Sequence, residues 1–90
     1  MTAPTICRMV LYRLTDHDAR HITQQRAHHG LRGNFVREGD QYPAIVVRVF
    51  EGSTNGTCNL KVLLDGEDVH WATSAREGDE PGTWAWPGRV

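Results

Sequence analysis

The segment Leu60-Lys-Val-Leu-Leu-Asp-Gly-Glu-Asp-Val-His-Trp71 constrains the fold more than any other part of the chain. Two runs of alternating apolar residues flank Asp65-Gly66. Asp-Gly in that setting signals a β-hairpin, because a type I′ turn needs positive φ at both central residues. With Asp65-Gly66 as a two-residue loop, Leu64 opposes Glu67, Val62 opposes Val69 and Leu60 opposes Trp71. The large apolar side chains then share one face, as burial of one side of a sheet demands, and Trp71 falls on the core side. On the other face Lys61 opposes His70 and Leu63 opposes Asp68.

The rest of the chain supplies further short strands and one helix. A first strand is expected over residues 5–13. Thr15 is a good N-cap, with Asp18 at the third helical position to complete a capping box and Leu14 and Ala19 placed for a hydrophobic staple. The helix is expected over residues 15–29, with Gly30 at C′ and basic side chains in the last turn. Its apolar face (Ala19, Ile22, Ala27) is too thin to stand alone and needs a larger surface to lean on. Pro43 opens the next strand, with Ile45, Val47 and Val49 on one face and Val46, Arg48 and Phe50 on the other. A mobile loop, residues 52–57, precedes the hairpin, and Trp84 to Pro87 can close as a last strand. The fold class is mainly β (α+β): a small SH3-like β-barrel, or a strongly bent antiparallel sheet, with one N-terminal helix over its open side. Residues 1–90 read as one domain with the barrel core over residues 43–90.

Ninety residues bury roughly 60–65% of the unfolded surface, which leaves one thin core and no deep catalytic cleft. The net charge of −1 is unlike that of a general nucleic-acid binder. Charge is nonetheless uneven: residues 1–40 hold six Arg against four acids, and residues 41–90 hold four basic residues against seven acids. Cys7 and Cys58 are distant and form no C-x-x-C pair, so both are expected as free buried thiols. No apolar run approaches the ~20 residues of a membrane span. P-loop, dinucleotide and G-x-S-x-G signatures do not occur, and no catalytic set is visible. His17, His21 and His28 share a broad helix face, but neither Cys nor a second H-x-x-x-H lies nearby, so no metal or cofactor is expected.

The candidate binding site lies toward the end of the chain. Trp84 and Trp86 alternate on one face of the closing strand, where one or both could floor a shallow pocket. Trp84 is expected to be the more buried of the two. Arg48, Arg76 and His70 would supply charge-assisted contacts to a phosphate or carboxylate, Thr73 and Ser74 hydroxyls, and Asp68 a neighbouring carboxylate.

Four segments together resemble small proteins encoded by tailed bacteriophages of actinobacteria: Gly39–Phe50, Asn59–Asp68, Trp71–Ser74 and Glu77–Pro87. Leu64-Asp-Gly-x-Asp68 and Pro81-Gly-x-Trp-x-Trp-Pro87 are the most specific pieces. The resemblance covers roughly residues 9–90 and implies a phage origin. On that footing the chain is expected to be a non-enzymatic binding protein in the host cytoplasm. Its expected task is counter-defence, by blocking a host protein or sequestering a nucleotide-derived signal, with a homo-oligomer as one arrangement. The alternative is a virion or assembly component such as a head–tail or capsid accessory protein, and the third reading is a weak nucleic-acid-binding module.

Overall fold

In the computed structural model, which describes residues 3–53 and 55–88, five strands and one helix follow in the order β1 (Met9–Arg13), α1 (Asp16–His29), β2 (Gln41–Val49), β3 (Cys58–Leu63), β4 (Val69–Glu77) and β5 (Thr83–Ala85). The strands close as a barrel in sequence order, with β5 returning to β1. The expected small barrel with an N-terminal helix is thus what forms, and the open bent sheet is not. One detail of the expectation changes: β4 and β5 run parallel. A closed ring of five strands cannot alternate direction throughout, so one neighbouring pair must be parallel. β5 takes its direction from β1, against which it is antiparallel through Leu11–Ala85 and Tyr12–Trp84.

The helix forms where the local chemistry places it. The Asp18 backbone N–H donates to Thr15 Oγ1 at 2.9 Å, and the Thr15 N–H donates to Asp18 Oδ2 at 2.9 Å, which completes the capping box. Gly30 ends the helix in the left-handed conformation. Ala19 and Ile22 join the core, whereas Ala27 is exposed. Two stations therefore hold α1 to the barrel besides these two side chains. Near its end, Arg26 donates from Nε to Asp68 Oδ2 at 2.8 Å, and both side chains are close to fully buried. Near its start, Asp18 meets Tyr12 and His70.

Val10, Leu14, Val46, Leu60, Val62 and Trp84 fill the barrel interior. The first strand is shorter than residues 5–13, because the chain turns at Thr5–Arg8, with Cys7 at φ 80° and exposed. Of the two thiols only Cys58 is buried. Pro43 is the third residue of β2, not its first. It precedes the first β2–β3 pair at Ala44–Val62, so its missing N–H breaks no bond there. The face assignment of β2 also changes. Ala44 and Val46 point inward, and a bulge between Val46 and Arg48 turns Val49 back toward the core while leaving Val47 exposed.

The largest departure is the β3–β4 register. Leu63 pairs with Val69, Val62 with His70, Lys61 with Trp71 and Leu60 with Ala72. This is one residue away from the register set by a two-residue Asp65-Gly66 loop, and a one-residue slip sends every side chain to the opposite face. His70 is buried, and Trp71 is 59% exposed. Asp65-Gly66 makes no type I′ turn, since Gly66 is not among the residues at positive φ. Instead the wider loop is captured by the segment after the helix. Gly66 bridges Gly33, the Asn34 N–H donates to Asp65 O, and the Glu67 N–H donates to Arg32 O. A Cβ on Gly66 would lie 2.7 Å from Gly33 Cα, so only glycine permits this approach.

Candidate functional site

The slipped register builds a surface. Residues directly opposite in antiparallel pairs share a face, and the pairings Met9–Ile45, Ile45–Lys61 and Lys61–Trp71 run one outward row across β1, β2, β3 and β4. A second row lies beside it: Leu11 opposes Pro43, and Leu63 opposes Val69. Val69 and Met9 are 54% and 42% exposed, and Val47 adds a further exposed apolar side chain at the bulge. Lys61 stands within this field with Nζ 5.8 Å from the Trp71 ring centroid, a cation–π approach that keeps its ammonium over the indole. At the far end Arg48 lies 5.3 Å over the Phe50 ring.

This face has a one-sided charge. β1, β2 and β3 contain no acidic residue, and the only one in β4 is Glu77 at its end. Lys61, Arg48 and Arg76 form no ion pair among the described residues, whereas Arg20, Arg26 and Arg32 each have a carboxylate partner. Exposed apolar side chains on β2–β4, with Lys61 among them and Arg48 at one end, both without an ion-pair partner among the described residues, have the composition of an interaction surface.

The residues singled out in the sequence fall into three places. Trp84 is wholly buried, and its Nε1–H donates to Gly56 O at 3.0 Å. Gly56 is at φ 69°, and a Cβ there would sit 2.9 Å from Trp84 Cζ2. Trp86 is half-buried and packs edge-on against Trp84, with ring centroids 5.2 Å apart. The expected order of burial is therefore found, and Trp84 faces the core, so it cannot floor an open pocket. Arg48, Thr73, Ser74 and Arg76 are all exposed. Asn59 joins the first and third of these: it is paired with Arg48, and its Oδ1 accepts the Ser74 N–H at 2.8 Å where β4 bulges and Ser74 takes φ 52°. These side chains border the apolar rows. His70 and Asp68 are elsewhere, turned toward the helix.

The inner polar station joins Asp18 of the capping box to Tyr12 and to His70, which is therefore no ligand contact on the surface. The Asp18 carboxylate accepts the Tyr12 hydroxyl at 2.6 Å and the His70 Nε2–H at 3.0 Å, besides the Thr15 N–H. Burial alone would raise its pKa, but the hydrogen bonds from His70, Thr15 and Tyr12 outweigh that and hold the carboxyl well below the usual range. Burial, and then the hydrogen bond to this anion, pushes the Tyr12 hydroxyl well above its ordinary value. An ionised acceptor requires a proton on His70 Nε2. Every hydrogen bond in the cluster joins β1, α1 and β4, so its chemistry is that of a structural clasp.

Lys61 lies on the outward side of its strand as expected, but Trp71, Val69, Met9 and Ile45 are not recognisable as surface residues from the sequence. Their types carry no outward signal, and only the register shows the face. Comparison with protein-family models, with curated proteins and with solved structures finds no match to this chain.

Proposed function

We propose that this chain is a non-enzymatic protein-binding module that docks a partner on the outer face of the neighbouring strands β2–β4. The observation that carries the reading is the outward row Ile45–Lys61–Trp71 across β2–β4 with the Leu63–Val69 pair beside it. Burying a side chain such as Trp71 or Val69 against a partner gains ~1.5–3 kcal/mol, and nothing within the described chain covers them. The resemblance to phage proteins sets the expected setting, an infected bacterium, and there the module would act by occupying a host protein. Sequestration of a nucleotide is less well supported, since Trp84 is core and the remaining candidate residues form no single pocket with it.

The test is affinity purification from infected cells of the wild type, a Trp71→Ser/Val69→Ser variant and a Gln24→Ser control on the exposed helix. One partner retained by the wild type and the control and lost by the surface variant is expected. An unchanged set of co-purifying proteins across all three overturns the reading. Mass spectrometry of purified virions separates the settings, because stoichiometric presence there would make the partner a virion protein.

A further inference from the structure

Resting on that reading of the outer face, we infer that its partner is an acidic amphipathic segment of another protein, presenting carboxylates beside an apolar stripe. The closed barrel turns β1 away from β4, so one partner meets the neighbouring strands β2–β4, whose two rows of side chains give a footprint of roughly 14 by 14 Å, about 200 Å². A stable dimer needs about 800 Å² from each partner, so the area suits one helix or extended segment, not a second folded domain.

A second copy of this chain is a poor occupant on charge as well. A two-fold interface sets a patch against itself. Lys61, Arg48 and Arg76 would then meet the same cations, with no acid on the strands before Glu77 to receive them. Like charges brought together in this way cost several kcal/mol. A carboxylate-bearing partner removes the conflict. Its acids can reach Lys61 and Arg48, which the Trp71 and Phe50 rings hold at the surface. A nucleic acid would satisfy the cations too, but interfaces of that kind are polar and strongly basic. Here aliphatic side chains dominate: Ile45, Val47, Leu63 and Val69.

The experiment titrates the full chain with designed helical peptides of about twenty residues, followed by amide and indole NMR shifts. One peptide carries Leu on one face and Glu on the other, a second replaces Glu with Lys, and a third replaces Leu with Ala. A thymidine oligonucleotide is the fourth probe. The Leu/Glu peptide is expected to bind and to shift Ile45, Lys61, Val69 and the Trp71 indole, with the Lys and Ala versions weaker by about tenfold or more. In a Lys61→Glu/Arg48→Glu variant, both positions being exposed and so neutral to folding, the preference should reverse toward the Lys peptide. Equal binding of the Glu and Lys peptides on this face overturns the acidic partner and leaves the docking surface standing. Binding of the Leu/Glu peptide with shifts confined to another face overturns both. Binding of the oligonucleotide alone, or of no probe at millimolar concentration, overturns the inference, and the surface itself is then judged by the Trp71→Ser/Val69→Ser purification.

Discussion

Replacing Asp18 with Asn tests the clasp between helix and barrel, because the change keeps the shape and reverses half of the hydrogen bonding. The carboxylate accepts from Tyr12 Oη at 2.6 Å, from the Thr15 backbone at 2.9 Å and from His70 Nε2 at 3.0 Å. An Asn side chain offers one accepting oxygen and a donating NH₂. If its oxygen serves Tyr12 and Thr15, His70 must take the Nδ1–H tautomer so that its Nε2 can accept from the NH₂, and the flipped amide confronts the other two donors. The cluster loses its charged acceptor in either orientation, at ~2–4 kcal/mol. Against a total stability of ~5–15 kcal/mol, a domain of this size should lose roughly 10–25 °C in Tm. Thermal unfolding followed by circular dichroism reads this directly.

The pH dependence carries the sign of the effect. The folded-state pKa of Asp18 is depressed, so its contribution is fully present above the unfolded value of ~3.9 and is lost as pH falls toward the folded value. Each pH unit in that window removes ~1.4 kcal/mol through Asp18 in the wild type, a loss that Asp18→Asn does not share, while the other carboxylates titrate alike in both proteins. The gap between the two proteins should hold above about pH 5 and narrow below about pH 4. A Tm loss under about 3 °C, or a gap that fails to narrow in acid, would refute the assignment of Asp18 as an ionised clasp.

Trp84→Ala removes a fully buried ring and its bond to Gly56 O, and should cost ~3–5 kcal/mol and leave a partly or wholly unfolded chain in urea titration. Trp71→Ala, by contrast, should stay within ~0.5 kcal/mol of the wild type and lose only binding. If Trp71→Ala unfolds the protein, the outward register is refuted. Gly66→Ala meets Gly33 Cα at 2.7 Å and Arg32 O at 2.8 Å, and should cost ~1–3 kcal/mol by forcing the two segments apart, with faster amide exchange at Asn34 and Glu67. Burial pushes the Cys58 thiol up to about 11, while Cys7 is exposed. A thiol reagent at pH 8 should therefore modify one cysteine per folded chain and both in denaturant, and rapid reaction of both in the native protein would contradict the buried position.

The elements that were legible in the sequence are those decided within a few residues. Thr15, Asp18 and Gly30 settle the ends of α1 through contacts no more than four residues away, so local chemistry and final structure coincide. Trp84 was readable as the more buried indole because a thin core needs its bulk. The β2 faces were not readable beyond Val46. A bulge depends on how the neighbouring strand is satisfied, here through Asn59 and the Ser74 N–H, and neither residue announces that role.

The docking face was hidden for a related reason. Asp65-Gly66 is a strong local hairpin signal, and a free hairpin of this sequence would have every reason to obey it. In the folded chain the loop is pinned from outside. Gly33 bridges Gly66, Arg32 accepts the Glu67 N–H, and Arg26 holds Asp68 by two hydrogen bonds. These partners lie about thirty to forty residues upstream, and together they outweigh one tight turn, whose preference is worth only ~1 kcal/mol on scales of this kind. The slip that results moves His70 inward, where the Asp18 carboxylate accepts its hydrogen bond, and sends Trp71 outward onto Lys61. The exposed apolar field is therefore not a local failure to bury hydrophobic residues. It is the other side of the contacts that fasten α1 and the segment after it to the barrel, and losing those contacts should return Trp71 to the face that the isolated hairpin prefers.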